Sequence, residues 1–152
     1  MKRSRKDIFE SQEESRAIVH LCNDVGLWYD RGFTRDLTNA YGDDARGTFR
    51  KLKTHSGSTC LPLGMVQTVH VDDKTCIVNV VAARGVSMFN GVSPMQYDAF
   101  ERAMRQVVSS HSHVHISYRI CDNIKGAEWK RIEALLHAVA THSECCSVTL
   151  FD

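Results

Sequence analysis

Short apolar segments alternate with amphipathic segments along most of this chain, and the spacing of their apolar residues predicts strands and helices. Five segments have the continuous or alternating apolar pattern typical of β-strands: 17–22, 64–71, 75–83, 114–120 and 146–151. Three longer segments place apolar residues at helical spacing: 33–42, 94–111 and 127–142. Pro94 suits the first turn of the second helix, and Gly42 marks the end of the first.

The remaining segments complete a pattern of alternating strands and helices. Asp43 and Asp44 are suited to capping a further helical segment, which passes into a Gly/Ser loop at 57–58. The turn at 72–74 joins two strands into a predicted β-hairpin, and the second of them, 75–83, is apolar enough for an interior strand. The order predicts an α/β fold, a three-layer α/β/α sandwich with a mixed central sheet. We expect a single domain over residues 1–152.

Polar residues and glycines are concentrated in three connections that each follow a predicted strand. We call them the first loop (22–32), the second loop (83–93) and the third loop (121–126). In α/β sheets, ligands bind beyond the carboxyl ends of the strands. The first loop has about ten residues, whereas strand-to-helix connections usually have about 2–6. We therefore expect the three loops to form a ligand site at one rim of the sheet.

The composition excludes some classes of protein without identifying this one. The chain has 152 residues, of which 43% are hydrophobic and 24% charged, and its formal net charge is +1. These values are ordinary for a globular domain and give no reason to expect nucleic acid or an acidic membrane as partner. Several of the six cysteines lie in apolar strand segments, so we expect reduced thiols and a cytoplasmic or nuclear location. Without a run of 18 apolar residues, we expect no membrane span.

Two local clusters have both a structural and a functional interpretation. Four of the first six residues, MKRSRK, are basic; we expect a solvated tail, with nuclear import or nucleic-acid contact as the alternative. His111, His113 and His115 alternate and would share one face of a strand, which is compatible with metal chelation. With no cysteine or carboxylate interleaved, we expect no metal there.

Four segments, in order along nearly the whole chain, resemble the macrodomains, the α/β fold that binds ADP-ribose. They are RKDIF, IVHLCNDVG with RGF, QYDAFERAM, and VHISYRICDNIKGAEWKRIEALL with the terminal SVTLFD. Within that fold the chain is similar to the branch of the terminal ADP-ribose hydrolases and their bacterial and viral relatives. The resemblance implies ADP-ribose or an ADP-ribosylated protein as partner, and neither a cofactor nor a metal. We expect a monomer.

The resemblance also implies a set of ligand-binding residues. Asp7 would accept a hydrogen bond from the adenine amine, and Asn23 would bind the hydroxyls of the distal ribose. Gly32 and Phe33 would begin a helix whose free N–H groups face the diphosphate, and Trp28 would wall the ribose. The whole set is Asp7, Ile8, Asn23, Trp28, Gly32, Phe33, Arg84, Cys121, Asn123, Ile124 and Lys125.

Several of these residues have structural alternatives. Asp7 could simply end a strand, Asn23 could hold the turn through its own backbone, and Trp28 could pack beneath the loop. Tyr97 and Asp98 lie near the start of a helix, where a carboxylate complements the helix dipole, and we interpret both as structural.

The third loop departs from the Gly-x-Gly pattern of the macrodomains, in which successive backbone N–H groups wrap the diphosphate. Asn123 tolerates positive φ and would replace one glycine. Asp122 is harder to accommodate, because a carboxylate about 4 Å from a phosphate charge costs about 4 kcal/mol at an effective dielectric near 20. We expect Arg84, Lys125 or both to neutralise this loop, with Asp122 facing the distal ribose.

The residues of the resembled hydrolase that form a covalent intermediate are absent. The resembled hydrolase has its nucleophilic lysine in the segment that reads AARGV here, and this segment contains Arg84 but no lysine. Lys125 occupies the position of the assisting aspartate. An arginine stays protonated and cannot act as that nucleophile. Water attack positioned by Asn23, Asp24 and Asp122 is the remaining route. His20 could titrate near neutral pH and take part, but we interpret it as a strand residue that faces the sheet.

The sequence thus favours a protein that binds ADP-ribose, free or protein-linked, at the carboxyl ends of the strands. Three alternatives stay open at this point. They are hydrolysis of ADP-ribosyl links, an ADP-ribose 1''-phosphate phosphatase, and a degenerate macrodomain that serves in protein contacts.

Overall fold

The computed structural model of this chain describes residues 1–56 and 60–152. Six strands, four α-helices and one 3₁₀ helix lie within these residues. In chain order they are β1 (Lys2–Ser4), β2 (Arg16–Asn23), α1 (Gly32–Tyr41), α2 (Asp44–Ser56), β3 (Val66–His70), β4 (Thr75–Ala83), α3 (Tyr97–Ser110), β5 (His113–Ser117), the 3₁₀ helix (Tyr118–Cys121), α4 (Trp129–Thr141) and β6 (Ser147–Phe151). The Gly/Ser loop predicted at 57–58 lies outside the described residues.

The strands form one mixed sheet in the order β1-β6-β5-β2-β4-β3. Neighbouring strands are parallel except β3 and β4, which pair antiparallel as the predicted hairpin. Helix α1 packs against α2, and α3 packs against both α4 and β4. The predicted α/β fold with a mixed central sheet flanked by helices is confirmed.

The two central strands form the interior of the protein. All eight residues of β2 and all nine of β4 are buried, as the apolar pattern of 75–83 predicted. Strand β2 also buries the charged side chain of Arg16, whose Nη1 donates to Ile8 O at 2.6 Å and whose Nη2 donates to Tyr41 Oη at 3.0 Å. A buried cation needs such partners, because desolvation without them is costly. Arg16 thereby holds the segment that contains Asp7 against the sheet.

The basic amino-terminal residues belong to the sheet. Lys2–Ser4 pairs in parallel with β6, with Lys2 opposite Thr149 and Ser4 opposite Phe151. The expectation of a wholly solvated tail is therefore wrong for the backbone, although the side chains of Lys2 and Arg3 are exposed. Charged side chains are typical of edge strands because they prevent further strand pairing.

Helix α3 begins at Tyr97 and not at Pro94, so the predicted place of Pro94 in its first turn is wrong. Met95 forms an isolated bridge with Ala83, and the Gln96 N–H donates to a carbonyl of β4. These contacts with the sheet keep 94–96 extended. Long-range pairing here overrides the local preference of proline for a helix start.

Candidate functional site

The three loops meet at one rim of the sheet. Strands β2, β4 and β5 are parallel to one another, so their carboxyl ends lie on the same side. The Asp24 N–H donates to Ala83 O at 2.8 Å, and Asp24 Oδ1 accepts from the Gly85 N–H at 2.7 Å. Ser93 Oγ donates to Lys125 O at 2.6 Å. These bonds fasten the first loop to the second and the second to the third.

Two of the three catalytic candidates are engaged in structural hydrogen bonds. The Asn23 side chain is 3% exposed; its Nδ2 donates to Leu27 O at 2.8 Å, and its Oδ1 accepts from the Leu27 N–H at 2.9 Å. Asp24 is also buried and uses Oδ1 to hold the second loop. The geometry supports the alternative in which Asn23 holds the turn. Ribose binding or catalysis by either residue would have to use its remaining donor or acceptor positions.

Trp28 lies inside the protein. It is 6% exposed, its ring centroid is 4.5 Å from that of His20 and 5.9 Å from that of Phe49, and its Nε1 donates to Thr38 Oγ1 at 2.9 Å. The predicted role of Trp28 as a wall of the ribose pocket does not fit this position. The alternative, packing beneath the first loop, does, because the large apolar ring gains most from full burial.

The third loop covers the amino end of α1. Asn123 is 9% exposed, and its Nδ2 donates to Arg31 O at 3.0 Å and to Thr34 Oγ1 at 3.1 Å. A Cβ placed on Gly32 would lie 2.9 Å from Asn123 Oδ1 and 3.1 Å from Asp122 Cβ. These two side chains occupy the space beside the first turn of α1 that the resemblance assigns to the diphosphate.

Asn123 replaces a glycine of the resembled loop through its side chain and not through its backbone. Among the described residues other than glycine, only Asn90 has a positive φ, of 51°. The prediction of a positive φ at Asn123 is therefore wrong. Its side-chain amide makes the hydrogen bonds that hold the third loop on α1, where a glycine would leave open space.

Arg119 neutralises Asp122. Its Nε lies 3.0 Å from Asp122 Oδ2, and its Nη1 lies 2.6 Å from Asp36 Oδ2. The hydrogen bond with Asp36 and the charge of Asp122 raise the pKa of Arg119 above its usual value. The prediction that Arg84 or Lys125 supplies this charge is wrong. The signal for Arg119 was its position three residues before Asp122, which suits an ion pair within one helical turn.

The other predicted ligand residues are spread over different environments. Ile124 is buried in the core, and Cys121 is half-buried, so that burial and the charge of Asp122 raise the pKa of its thiol. Lys125 is exposed and contributes its carbonyl oxygen to the bond with the second loop. Arg84 is exposed and lines a different cavity, described below.

A chain of buried polar groups lies beneath the third loop. Thr34 Oγ1, which accepts from Asn123, lies 2.8 Å from His20 Nε2, and His20 Nδ1 lies 2.9 Å from Asn79 Oδ1. This network assigns the proton to Nδ1 and lets the Thr34 hydroxyl donate to Nε2. Burial lowers the pKa of His20 to about 4, although the bond to Asn79 acts in the opposite direction. His20 is therefore neutral at pH 7 and is not a group that titrates near neutral pH.

A cleft with aromatic walls lies at the end of β6 and is reached from the Asp7 segment. It has a volume of about 150 Å³ and is lined by Asp7, Ile8, Phe33 and Arg119 among others. It adjoins a wider groove of about 470 Å³ that shares Asp7 and Arg119. The rings of Phe9 and Phe33 stack with centroids 5.8 Å apart. This is where the resemblance places adenine.

Asp7 is positioned to offer a free carboxylate oxygen to this cleft. Its Oδ1 accepts from the Phe9 N–H at 2.9 Å, and its backbone oxygen accepts from the Glu10 N–H at 3.1 Å. Its Oδ2 has no hydrogen-bond partner among the described residues, and the side chain is exposed. Asp7 therefore forms a turn and ends no strand.

The three alternating histidines do not converge. His113 Nε2 lies 3.1 Å from Glu14 Oε2, whereas His115 is buried with its ring centroid 4.8 Å from that of Phe151. Over residues 1–56 and 60–152, no group of three or more metal-binding side chains is assembled. In the same residues, no helix is both long enough and apolar enough to span a membrane.

Replacing Gly32 by alanine is expected to lower the free energy of unfolding by about 2 kcal/mol, measured by urea denaturation. Gly32 has a φ of +59°, which costs other residues about 1–2 kcal/mol, and its new Cβ would displace Asn123. The matched control is Gly91→Ala, with a φ of +75° in the turn closed by Phe89 and Val92 but nothing within 4 Å. Equal losses in the two variants would show that the third loop does not press on α1.

Comparison with known proteins identifies the fold. No protein-family model and no curated protein sequence matches the chain. A solved structure of a protein of unknown function from Bacteroides thetaiotaomicron is 24% identical, with a TM-score of 0.85 over 99% of this chain and 96% of that one. A macrodomain protein from Streptomyces coelicolor is 24% identical, with a TM-score of 0.76 over 94% and 91% of the two chains. DarTG of Thermosipho africanus, solved in complex with ADP-ribose, is 14% identical, with a TM-score of 0.67 over 89% of this chain and 37% of that one.

These likenesses define the class: the chain has the macrodomain fold, as the four resembling segments predicted. At such identities the comparison concerns the fold of the chain alone. The identity of its ligand depends on its own residues.

Proposed function

We propose that this protein binds ADP-ribose or a closely related adenine nucleotide, with the adenine in the cleft beside Asp7. The observation that carries the proposal is the free Oδ2 of Asp7 at the mouth of a cleft walled by Phe9 and Phe33. The carboxylate accepts from the adenine amine while an aromatic wall packs against the purine. The macrodomain fold supports this proposal, since the related DarTG structure contains ADP-ribose.

The diphosphate would reach the amino end of α1, where the backbone N–H groups of the first turn attract anions. The residue preceding this helix, Arg31, makes no side-chain cap. Asn123 occupies the same space through its bonds to Arg31 O and Thr34 Oγ1. Binding of the whole ligand therefore requires the third loop to give up these bonds, which lowers the affinity relative to an open cleft.

We propose binding rather than turnover as the main activity. Hydrolysis would need a group to activate water beside the distal ribose, and the candidates are engaged elsewhere. Asn23 is bonded to Leu27, Asp24 to Gly85 and Asp122 to Arg119. A general base must accept a proton from the water that it activates. The Asn23 amide cannot do so, and Oδ1 of Asp24 and Oδ2 of Asp122 are already used as acceptors.

Replacing Asp7 by asparagine tests the proposed adenine contact. The amide keeps an oxygen for the Phe9 N–H but turns its NH₂ toward the adenine amine, so two donors face each other. Loss of a hydrogen bond to a charged group is worth about 1.5–3 kcal/mol, so ADP-ribose should bind at least about tenfold more weakly by calorimetry. Asp73→Asn, in the turn between β3 and β4, is the matched control.

Unchanged affinity in Asp7→Asn would place the adenine elsewhere. The unaltered chain should first be examined by thermal shift with ADP-ribose, ADP, AMP and NAD. A ligand at a hundred times its Kd adds about 2.7 kcal/mol of stability. A melting temperature unmoved by all four would reject nucleotide binding.

A second candidate is a macrodomain fold that has lost its nucleotide and serves in protein contacts. The specific observation in its favour is that Asp122 and Asn123 fill the space beside Gly32. The same thermal-shift panel separates the two functions, because this candidate predicts no stabilisation by any of the four nucleotides.

A further inference from the structure

A second cavity is separate from the adenine cleft. It has a volume of about 660 Å³ and lies between the amino ends of α3 and α4, beside the second loop. Ligand pockets for small molecules commonly have volumes of about 300–1,000 Å³. None of the residues that line the adenine cleft lines this cavity.

Three arginines line the cavity: Arg84 from the second loop, Arg102 from α3 and Arg131 from α4. In residues 1–56 and 60–152, no carboxylate forms an ion pair with any of them, and the arginines that are so paired lie elsewhere. Two carboxylates, Asp98 and Glu128, also line the cavity. The arginines therefore outnumber the acids, and their guanidinium groups are available to a ligand.

The local contacts hold two of these guanidinium groups in place. That of Arg131 lies 3.9 Å from the ring centroid of Tyr97, a cation–π contact. The Tyr97 hydroxyl accepts from the Glu128 N–H at 2.9 Å, which fixes the ring between the two helices. Arg102 Nη2 would lie 3.3 Å from a Cβ on Gly64, so this glycine lets the guanidinium approach the backbone.

The ends of the two helices add to the positive potential. Gln96 and Glu128 precede the first residues of α3 and α4, and neither makes a side-chain cap. Helix amino ends carry a partial positive charge, which supplements the arginines and does not itself define the site.

We propose that this cavity binds a phosphate-bearing small molecule, with the phosphate between Arg84, Arg102 and Arg131. A guanidinium presents a fork of donors that matches two phosphate oxygens, and three such groups suit a dianion better than a single carboxylate. The extra charge is needed because Asp98 and Glu128 repel any anion that enters. The exposed side chains of Met88 and Val92 offer an apolar wall to the rest of the molecule. This inference does not depend on the proposed binding of ADP-ribose.

Calorimetric titration of the intact chain with inorganic phosphate, pyrophosphate, phenyl phosphate and benzoate tests the site. Phenyl phosphate should bind at least tenfold more tightly than benzoate, because it carries the second charge on a body of similar size. Tighter binding of phenyl phosphate than of inorganic phosphate indicates an organic phosphate as the natural ligand, and equal binding indicates recognition of the phosphate group alone. Benzoate binding as tightly as phenyl phosphate, or absence of phosphate binding, would overturn the proposal.

The double variant Arg84→Gln, Arg102→Gln should lose at least tenfold in affinity for pyrophosphate. The control is the double variant Arg46→Gln, Arg105→Gln, which removes the same charge from two arginines outside the cavity, paired with Asp43 at 2.7 Å and with Glu101 at 2.9 Å. Circular dichroism and the melting temperature establish that each variant is folded. An equal loss in the control would mean that only the overall charge matters and would also overturn the site.

Discussion

Replacing Asn123 by glycine is expected to raise the affinity for ADP-ribose about thirtyfold. In the proposed binding mode, the ligand breaks the Asn123 bonds to Arg31 O and Thr34 Oγ1 when its diphosphate reaches α1. Each such bond contributes about 1 kcal/mol net, and about 2 kcal/mol corresponds to roughly thirtyfold in affinity. Glycine at 123 makes neither bond and leaves the space beside Gly32 open.

The measurement is calorimetric titration of both chains with ADP-ribose. The matched control is Asn90→Gly, in the second loop, where a φ of 51° makes glycine equally acceptable to the backbone. Equal or weaker binding by Asn123→Gly would show that the side-chain amide assists the ligand rather than blocking it. If Asn123→Gly binds and the unaltered chain does not, the third loop is what closed this macrodomain cleft.

Lowering the pH from 7 to 4 is expected to reduce the free energy of unfolding by about 3 kcal/mol through His20. Its pKa is about 4 in the folded protein, where burial disfavours the charged ring, against 6.5 as the ordinary value. The unfolded chain therefore binds the proton first, so the contribution is fully present above about pH 6.5 and is lost as the pH falls toward 4. A difference of one pKa unit is worth about 1.4 kcal/mol.

None of the hydrogen-bond and ring partners of His20 carries a negative charge that could stabilise its protonated form. Its partners are the Asn79 amide, the Thr34 hydroxyl, the Cys22 thiol and the Trp28 ring. Burial, followed by the charges of Arg16 and His113, likewise lowers the pKa of His115 to about 4. That histidine therefore adds to the loss over the same range of pH.

Urea denaturation at pH 7 and pH 4 measures this effect. His20→Gln should reduce the difference between the two values, because glutamine does not titrate. His137→Gln, which alters an exposed histidine of α4, should leave the difference unchanged. Identical pH dependence in the unaltered chain and in His20→Gln would mean that His20 does not cause the loss.

Local patterns were sufficient to predict most elements of the fold. The continuous apolar run at 75–83 predicted an interior strand, and the turn at 72–74 predicted the hairpin, because both signals lie within neighbouring residues. Strand β1 could not be predicted in this way, since Lys2–Ser4 is polar and becomes a strand only beside β6. Helix α3 begins at Tyr97 and not at the predicted Pro94 for the same reason, because the bridge between Met95 and Ala83 of β4 keeps this segment extended.

The sequence by itself determined the class of fold and the three loops that meet at the rim, because strand order and loop position follow from the linear pattern. Only the tertiary structure decided what those loops do. Gly32 ends the first loop and Asn123 lies in the third, far along the chain. No pattern in the sequence indicates that these two positions are in contact. The ion pair of Arg119 with Asp122 and the place of Arg84 in the wall of a cavity both depend on the directions of side chains from different elements. Such directions are set by packing and not by local propensity.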